Sequence, residues 1–465
     1  MSKQDQKELR QQIACEWLQE NYLNYGSLRH DVVTDRLQIR MADSLEDGSA
    51  YSLEFRGKEN WRNLTDKDIN TMVCQCVAEK GVNISTNEMW TALKSDMVPA
   101  VHPLRAWLDG LRPYTADQPD WIDMVAQQVK VRDSASSGVQ ELRSSGVTSE
   151  QARSATEPSE PLTSGSSADR LWRACFKKWF MAMVASWMKD EVVNHTVLVL
   201  VGRQGIFKTT WLDNLIPPEL RAYSSKLPLS GQISKDDRLR LCENGMLNID
   251  ELDAMCGREM NIVKSLLTST DVNERAAYGR LKERRVRLAS FCASTNKREF
   301  LTDITGNRRW LPFEVESIQN PFHTIIPYER LYAQAKALVE EGIFSYWFDM
   351  EEMEVLEAHN EEFRALENEE QLLPILFDIP AEGKGEFMTT AEISDKLVTY
   401  GGIKKPMNSR KLGMLLSKRG YTKRTMYISG TMVRGWIVYQ READEIKLVK
   451  KRENVLTSLQ PDILF

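Results

Sequence analysis

Val197-Leu198-Val199-Leu200-Val201-Gly202-Arg203-Gln204-Gly205-Ile206-Phe207-Lys208-Thr209-Thr210 is an unbroken Val/Leu run that ends in a glycine loop closed by Lys-Thr. A short run of this kind reads as a strand buried on both faces. The spacing Gly202, four residues, then Phe207-Lys208-Thr209 fits the phosphate-binding pattern G-x-x-x-x-G-K-[ST] at every defined position but the second glycine, where Phe207 stands. In such loops successive backbone N–H groups hold phosphates, the lysine reaches the outer ones and the hydroxyl binds Mg²⁺. The stretch Gly202 to Thr210 is therefore the expected nucleotide cradle, with Lys208 and Thr209 in those two roles. A side chain at a left-handed position costs roughly 1–2 kcal/mol, so Phe207 weakens the match without abolishing phosphate binding.

With 465 residues the chain has room for roughly three domains. No segment reaches the ~18 consecutive apolar residues of a membrane span. The polar start Met1 to Gln12 does not read as a signal peptide, so a cytoplasmic protein with no membrane partner is expected. Of the seven cysteines only Cys74 and Cys76 are close in sequence, without metal-ligand spacing or nearby histidines, so reduced thiols are expected. The net charge of −6 is unevenly spread, and two basic stretches decide more about partners than the total does.

Upstream of the loop, Leu9 to Asn21 reads as helix and Ser27 to Phe55 as alternating strands. Helices then follow from Thr65-Asp66-Lys67-Asp68 and from Ser85-Thr86-Asn87-Glu88. Prolines 99, 103, 113 and 119 punctuate a loop-rich exit. Residues 1–130 thus form a small α/β accessory domain, and a replication partner, if the chain recruits one, is expected there. Asp66 and Asp68 have the spacing of a metal-binding pair, but they sit where a helix start favours acids anyway, and no primase is expected. Residues 131–169 are rich in Ser, Gly, Thr and Glu and too poor in large apolar groups to fold, which makes a linker. Arg170 to Met188 returns to helix with a broad apolar face.

Downstream, Gly245-Met246-Leu247-Asn248-Ile249-Asp250-Glu251 is an apolar strand ending in two acids. In phosphoryl transfer the first acid supports Mg²⁺ and the second polarises the attacking water, which assigns Asp250 and Glu251. A third strand, Val286 to Thr295, ends at Asn296, a residue placed to contact the γ-phosphate or the water. Thr305-Gly306-Asn307-Arg308-Arg309-Trp310 presents two arginines after a turn. An arginine delivered across a subunit boundary stabilises the transferring phosphoryl group; the alternative is a pair of surface ion pairs.

In this order and spacing, the loop, the Asp-Glu strand, the Thr-Asn strand end and Thr-Gly-Asn-Arg-Arg-Trp resemble the virulence-associated protein E family of phages and mobile elements, most specifically from Leu171 to Glu316. That family is similar to superfamily 3 helicases of the AAA+ class. The resemblance implies an ATP-driven replication helicase, a ring of identical subunits, with Lys208, Thr209, Asp250, Glu251 and Asn296 around Mg²⁺-ATP. It also implies that Arg308 or Arg309 serves the neighbouring subunit.

The basic interval Glu274 to Arg287 holds Tyr278, Arg280, Lys282 and Arg284, suited to a phosphate backbone with one stacking base; a solvated surface is the alternative. In ring helicases of this type that interval carries a hairpin into the central channel. Between Asp395 and Glu442 no acid occurs. Helices there, followed by strands Thr425 to Ser429 and Gly435 to Tyr439, make a winged-helix-like module. Arg410, Lys411, Lys418, Arg419, Lys423 and Arg424 would meet DNA phosphates, although such modules also dock proteins.

The expected fold is α/β throughout. A central P-loop AAA+-like ATPase with a parallel sheet (170–345) is followed by a helical connector (346–375), the winged-helix-like domain (376–445) and a tail (446–465). The expected function is an ATP-dependent DNA helicase acting on single-stranded or forked DNA. An ATP-switched DNA-binding regulator or loader without strand separation is the alternative, and an inactive scaffold is disfavoured by the intact Lys-Thr, Asp-Glu and Asn-Arg-Arg features.

Overall fold

The computed structural model describes residues 2–40, 61–133, 166–227, 234–250, 252, 255, 257–274, 283–302, 307–342, 344–381, 385–404, 406–428 and 430–449. The chain divides into two compact units, Met1–Arg298 with Arg308–His359, and Glu299–Asn307 with Asn360–Phe465.

The first unit opens with helix α1 (Lys3–Leu18), strands β1 (Leu28–Asp31), β2 (Arg36–Arg40) and β3 (Trp61–Asn63), helices α2 (Asp66–Lys80) and α3 (Thr86–Leu93), and strand β4 (Ala100–Val101). The strands form one sheet in the order β3-β2-β1-β4. Trp17, Leu18, Ile69, Met72 and Met89 bury their apolar faces together in a core of their own. Thr65 caps α2 through a reciprocal box with Asp68. Asp68 is also gripped by Arg62 at 2.6 and 2.7 Å. The Arg62 bonds, with those from Thr65, hold that carboxyl far below the ordinary range.

The next elements depart from the sequence expectation. The proline-rich stretch is not a loop exit: α4 (Pro103–Asp109) and α5 (Trp121–Ala126) are helices, followed by strand β5 (Val129–Val131). Pro103 stands at the first position of α4, where its missing N–H costs nothing, and His102 is the N-cap. Leu104, Leu108, Ile122, Val125, Val129 and Val131 join the same core as the central sheet. The boundary expected at residue 130 therefore falls inside an edge strand.

Helix α6 (Ser167–Met188) is buried on nearly every side. Its three large indoles each spend their N–H on a backbone carbonyl: Trp172 on Ala126 at 2.9 Å, Trp179 on Phe291 at 2.9 Å, Trp187 on Gly245 at 3.2 Å. A buried indole left without an acceptor would cost roughly 1–3 kcal/mol, so these bonds fix the helix against particular strands.

The central elements are β6 (Val197–Val201), α7 (Lys208–Asp213), β7 (Ser224–Lys226), α8 (Lys235–Glu243), β8 (Met246–Ile249), α9 (Gly257–Thr268), β9 (Asp271–Glu274), β10 (Glu283–Val286), β11 (Ser290–Thr295), β12 (Trp310–Ile318) and α10 (Tyr328–Glu341). Six strands order as β5-β12-β6-β11-β8-β7. All neighbours run parallel except β5 against β12. All five residues of β6 are buried, as expected for a strand covered on both faces. β9 and β10 form a separate antiparallel pair.

Arg287, fully buried after β10, donates to the carbonyls of Ala289, Leu266, Leu267, Ser269 and Asn194 at 2.7–3.3 Å. Three of those carbonyls belong to the end of α9 and the turn after it. The guanidinium thus satisfies orphan carbonyls at a helix C-terminus, where positive charge is favoured.

Helix α11 (Met350–Asn360) leads to the second unit, with α12 (Asn368–Leu376), β13 (Phe377–Asp378), β14 (Glu386–Met388), α13 (Thr390–Gly401), α14 (Ser409–Lys418), β15 (Thr422–Ile428) and β16 (Thr431–Gln440). β16 pairs with β13, β14 and β15, all antiparallel. Leu373, Ile393, Leu397, Leu412, Leu416, Trp436 and Val438 form the core beneath. Leu301 adds a parallel bridge to Arg364 in this unit.

Candidate functional site

The strand order brings three chain segments together at the carboxyl end of the sheet. β11 lies between β6 and β8, with Thr295 opposite Val201 and Ala293 opposite Ile249. The residues just beyond each strand, Gly202, Asn296 and Asp250, therefore emerge side by side.

In the loop, Gly202 has φ 155° and Gly205 φ 85°. A Cβ on Gly202 would sit 2.9 Å from the Val315 carbonyl oxygen of β12, so only glycine fits beneath the loop. Phe207 takes φ 67°, the left-handed conformation in which the motif places its second glycine. The loop thus keeps its backbone path despite the substitution, at a cost of roughly 1–2 kcal/mol. Its ring meets Phe322 edge-on, centroids 6.1 Å apart. Arg203, Gln204 and Gly205 are exposed; Ile206, Thr209 and Thr210 are half-buried.

Lys208 is buried at 6% exposure. Its Nζ donates to the carbonyls of Gly202 and Arg203, both at 2.7 Å, and to Asn296 Oδ1 at 3.1 Å. Thr209 Oγ1 donates to Asp250 Oδ1 at 3.1 Å and shares a 3.0 Å bond with Ser294 Oγ. Ser294 Oγ in turn donates to Asp250 Oδ1 at 3.0 Å. Lys226, at the end of β7, grips the other carboxylate oxygen at 2.7 Å. Burial pushes the Asp250 carboxyl up, but the bonds from Lys226, Ser294 and Thr209, with the Lys226 charge, outweigh it and hold the pKa below the ordinary value. Thr209, Asp250 and Ser294 make a compact all-oxygen set, the chemistry a hard divalent cation such as Mg²⁺ prefers.

Ser294 and Lys226 escape a motif reading. Ser294 precedes Thr295-Asn296 within an ordinary buried strand, and Lys226 ends a strand of three residues. Only the strand order makes them neighbours of Asp250. Glu251 lies outside the described residues.

The two arginines stand elsewhere. Trp310 pairs with Val197 and Glu314 with Val201, so Arg309 is about 20 Å along the strand from the loop of its own chain, at roughly 3.3 Å per residue. Arg308 is exposed and Arg309 half-buried. The Lys264 ammonium on α9 is pushed down to about 8, first by burial and then by the Arg309 charge. This basic neighbourhood is a feature that sequence spacing does not signal.

Residues 154–365 match the virulence-associated protein E-like domain. That stretch holds the Gly202 to Thr210 loop, Asp250, Ser294, Asn296, Arg308 and Arg309. Two solved apo structures of the C-terminal region (305–718) of NrS-1 are also similar. One is 9% identical, covers 90% of this chain and 97% of that chain, and has a TM-score of 0.41. The other, an A form, is 10% identical, with coverages of 91% and 98% and a TM-score of 0.40. No curated relative matches the chain.

Within the virulence-associated protein E-like stretch, β9 and β10 are the stems of the basic interval. Tyr278, Arg280 and Lys282 lie outside the described residues. Arg284 is exposed and paired with Asp271 at 2.8 Å.

Beyond the virulence-associated protein E-like stretch, some of the basic residues of the second unit are paired. The acid-free interval of the chain meets Glu361 and Glu367 in the fold. Lys411 pairs with Glu367, Lys418 with Glu361 at 2.5 Å, and Arg419 donates to the Glu370 carbonyl at 3.4 Å. Lys423 lies over the Trp436 ring, 5.8 Å from its centroid, while Arg410 and Arg424 are exposed. In the first unit α11 packs against α6, with Glu352 on Lys178 at 2.7 Å, and within the second unit the acids after α11 neutralise part of α14.

Proposed function

We propose that the chain is an ATP-dependent helicase or replication ATPase of a phage or mobile genetic element. The observation that carries this reading is the meeting of Lys208, Thr209, Asp250, Ser294 and Asn296 at one end of a parallel sheet, beside a loop with the backbone path of a phosphate cradle. The virulence-associated protein E-like match supports it.

In this reading Lys208 neutralises the outer phosphates of ATP, exchanging its loop carbonyls for phosphate oxygens. Thr209 and Asp250 hold Mg²⁺, which would supply charge neutralisation at the phosphates. Asn296 orients the attacking water. Arg308 and Arg309, remote from their own loop, act on the site of an adjacent subunit in a ring. The second unit, with the order helix, two short strands, two helices and hairpin, reads as a winged-helix-like module that meets DNA through Arg410, Lys423 and Arg424.

DNA-stimulated ATPase and unwinding of a forked duplex, measured on the chain and on Lys208→Ala, test the proposal. Turnover and unwinding, both lost in the variant, are expected. Turnover without unwinding would favour the ATP-switched regulator or loader, and no turnover would refute both.

A further inference from the structure

The virulence-associated match and the phosphate motif leave one feature of the loop unexplained, the phenylalanine at its left-handed position and the ring it meets. Phe322 is 76% exposed, and Ile325, at 86%, lies three residues on. The turn that carries Phe322 is built by Asn320. Its Oδ1 accepts the Phe322 N–H at 3.0 Å and its carbonyl accepts the N–H groups of His323 and Thr324, each at 3.0 Å. The turn follows β12, and Gln319 N–H is tied to the Gln128 carbonyl at 2.8 Å. β12 is the strand whose Val315 carbonyl closes against Gly202. Phe322 is thus held at the rim of the phosphate loop by its backbone.

The interplanar angle between Phe207 and Phe322 is 82°. In an edge-on pair one ring presents its edge to the other, so the pair orients the rings while leaving open faces. An open aromatic face beside a phosphate cradle suits the planar part of a ligand whose phosphates are in the cradle. Resting on the ATP reading above, we propose that Phe322, oriented by Phe207, is the stacking surface for the nucleobase. Every base has a π-face, so this surface selects nucleotides over bare polyphosphate and tolerates either purine.

The test is the affinity of the full chain for Mg²⁺-ATP, Mg²⁺-GTP and inorganic tripolyphosphate with Mg²⁺, with the oligomeric state recorded alongside. Phe322→Ala should weaken ATP and GTP by about tenfold, the order of one lost base–aromatic stack. Tripolyphosphate affinity should stay unchanged, and Phe322→Trp should restore the nucleotide affinity. Lys208→Ala should lose all three ligands. An unchanged ratio of ATP to tripolyphosphate affinity in Phe322→Ala would overturn the proposal while leaving the ATP reading intact. So would a loss of assembly with both ligands weakened equally, which would make the exposed rings a contact between copies. Failure of the unaltered chain to bind any of the three ligands would overturn the ATP reading and the stacking surface with it.

Discussion

Lys208 Nζ donates to Asn296 Oδ1 at 3.1 Å, although 88 residues of chain separate them. The contact exists because β11 pairs in parallel with β6 and the two strands end level, Thr295 opposite Val201. If Asn296 orients the attacking water, Asn296→Ala should lower kcat about a hundredfold, the order seen when one positioned donor is removed from a reacting centre. Nucleotide affinity should change far less than in Lys208→Ala. Equal losses of affinity in the two variants would assign Asn296 to holding the loop rather than to chemistry.

At Phe207 strain and packing oppose one another. Phe207→Ala keeps the Cβ strain and loses the ring contact, so it should destabilise by about 1 kcal/mol. Phe207→Gly relieves roughly 1–2 kcal/mol of strain while losing the same contact and adding unfolded-state freedom, and should lie within about 1 kcal/mol of the parent. Equilibrium denaturation of both variants checks the order. An alanine variant more stable than the glycine variant would show that the left-handed conformation is not sustained in solution.

Arg287→Met removes the donor of five backbone carbonyls from a site with no solvent exposure. Leaving buried carbonyls without their donor costs roughly 1–3 kcal/mol. A fall in denaturation midpoint of that order is expected, with faster amide exchange at Leu266 to Ser269 where the carbonyls lose their partner. A change below 1 kcal/mol would mean that water replaces the guanidinium.

His102 supplies a pH dependence. Its Nδ1 accepts the Arg105 N–H at 3.3 Å as the cap of α4, a bond that requires the neutral ring. Burial first, then the Arg105 charge, lowers its pKa to about 4 from the ordinary 6.5. Between those values the unfolded chain binds more protons than the folded one, so stability rises with pH there. His102 thus contributes fully above about pH 6.5, and the contribution is lost as pH falls toward 4. His102→Asn keeps a capping acceptor that does not titrate, and its stability should fall less than the parent's over that window. Parallel curves would remove His102 as the cause.

The loop was legible because its signal is local: a buried strand, spaced glycines and Lys-Thr lie within fourteen positions of one another in the chain. Asp250 and Asn296 were legible for the same reason, as polar residues at the ends of apolar runs. Their joint site was an expectation that no local pattern could fix, since it depends on β11 entering between β6 and β8. Ser294 and Lys226 had no signal at all, being ordinary residues that only that order brings to Asp250. The prolines before α4 misled because Pro103 reads as a breaker in sequence, yet starts a helix once its fixed φ meets a capped N-terminus.

The sequence by itself determined where strands end in polar groups, where helices are capped, and that a glycine loop closed by Lys-Thr follows β6, since these rest on side-chain period and backbone conformational preference. Tertiary structure alone decided which strand ends lie side by side, and placed Arg308 and Arg309 far from their own loop. It also set Glu361 and Glu367 against the basic helix α14. Those facts are contacts between residues distant in the chain, and their energies depend on geometry that a one-dimensional pattern does not contain.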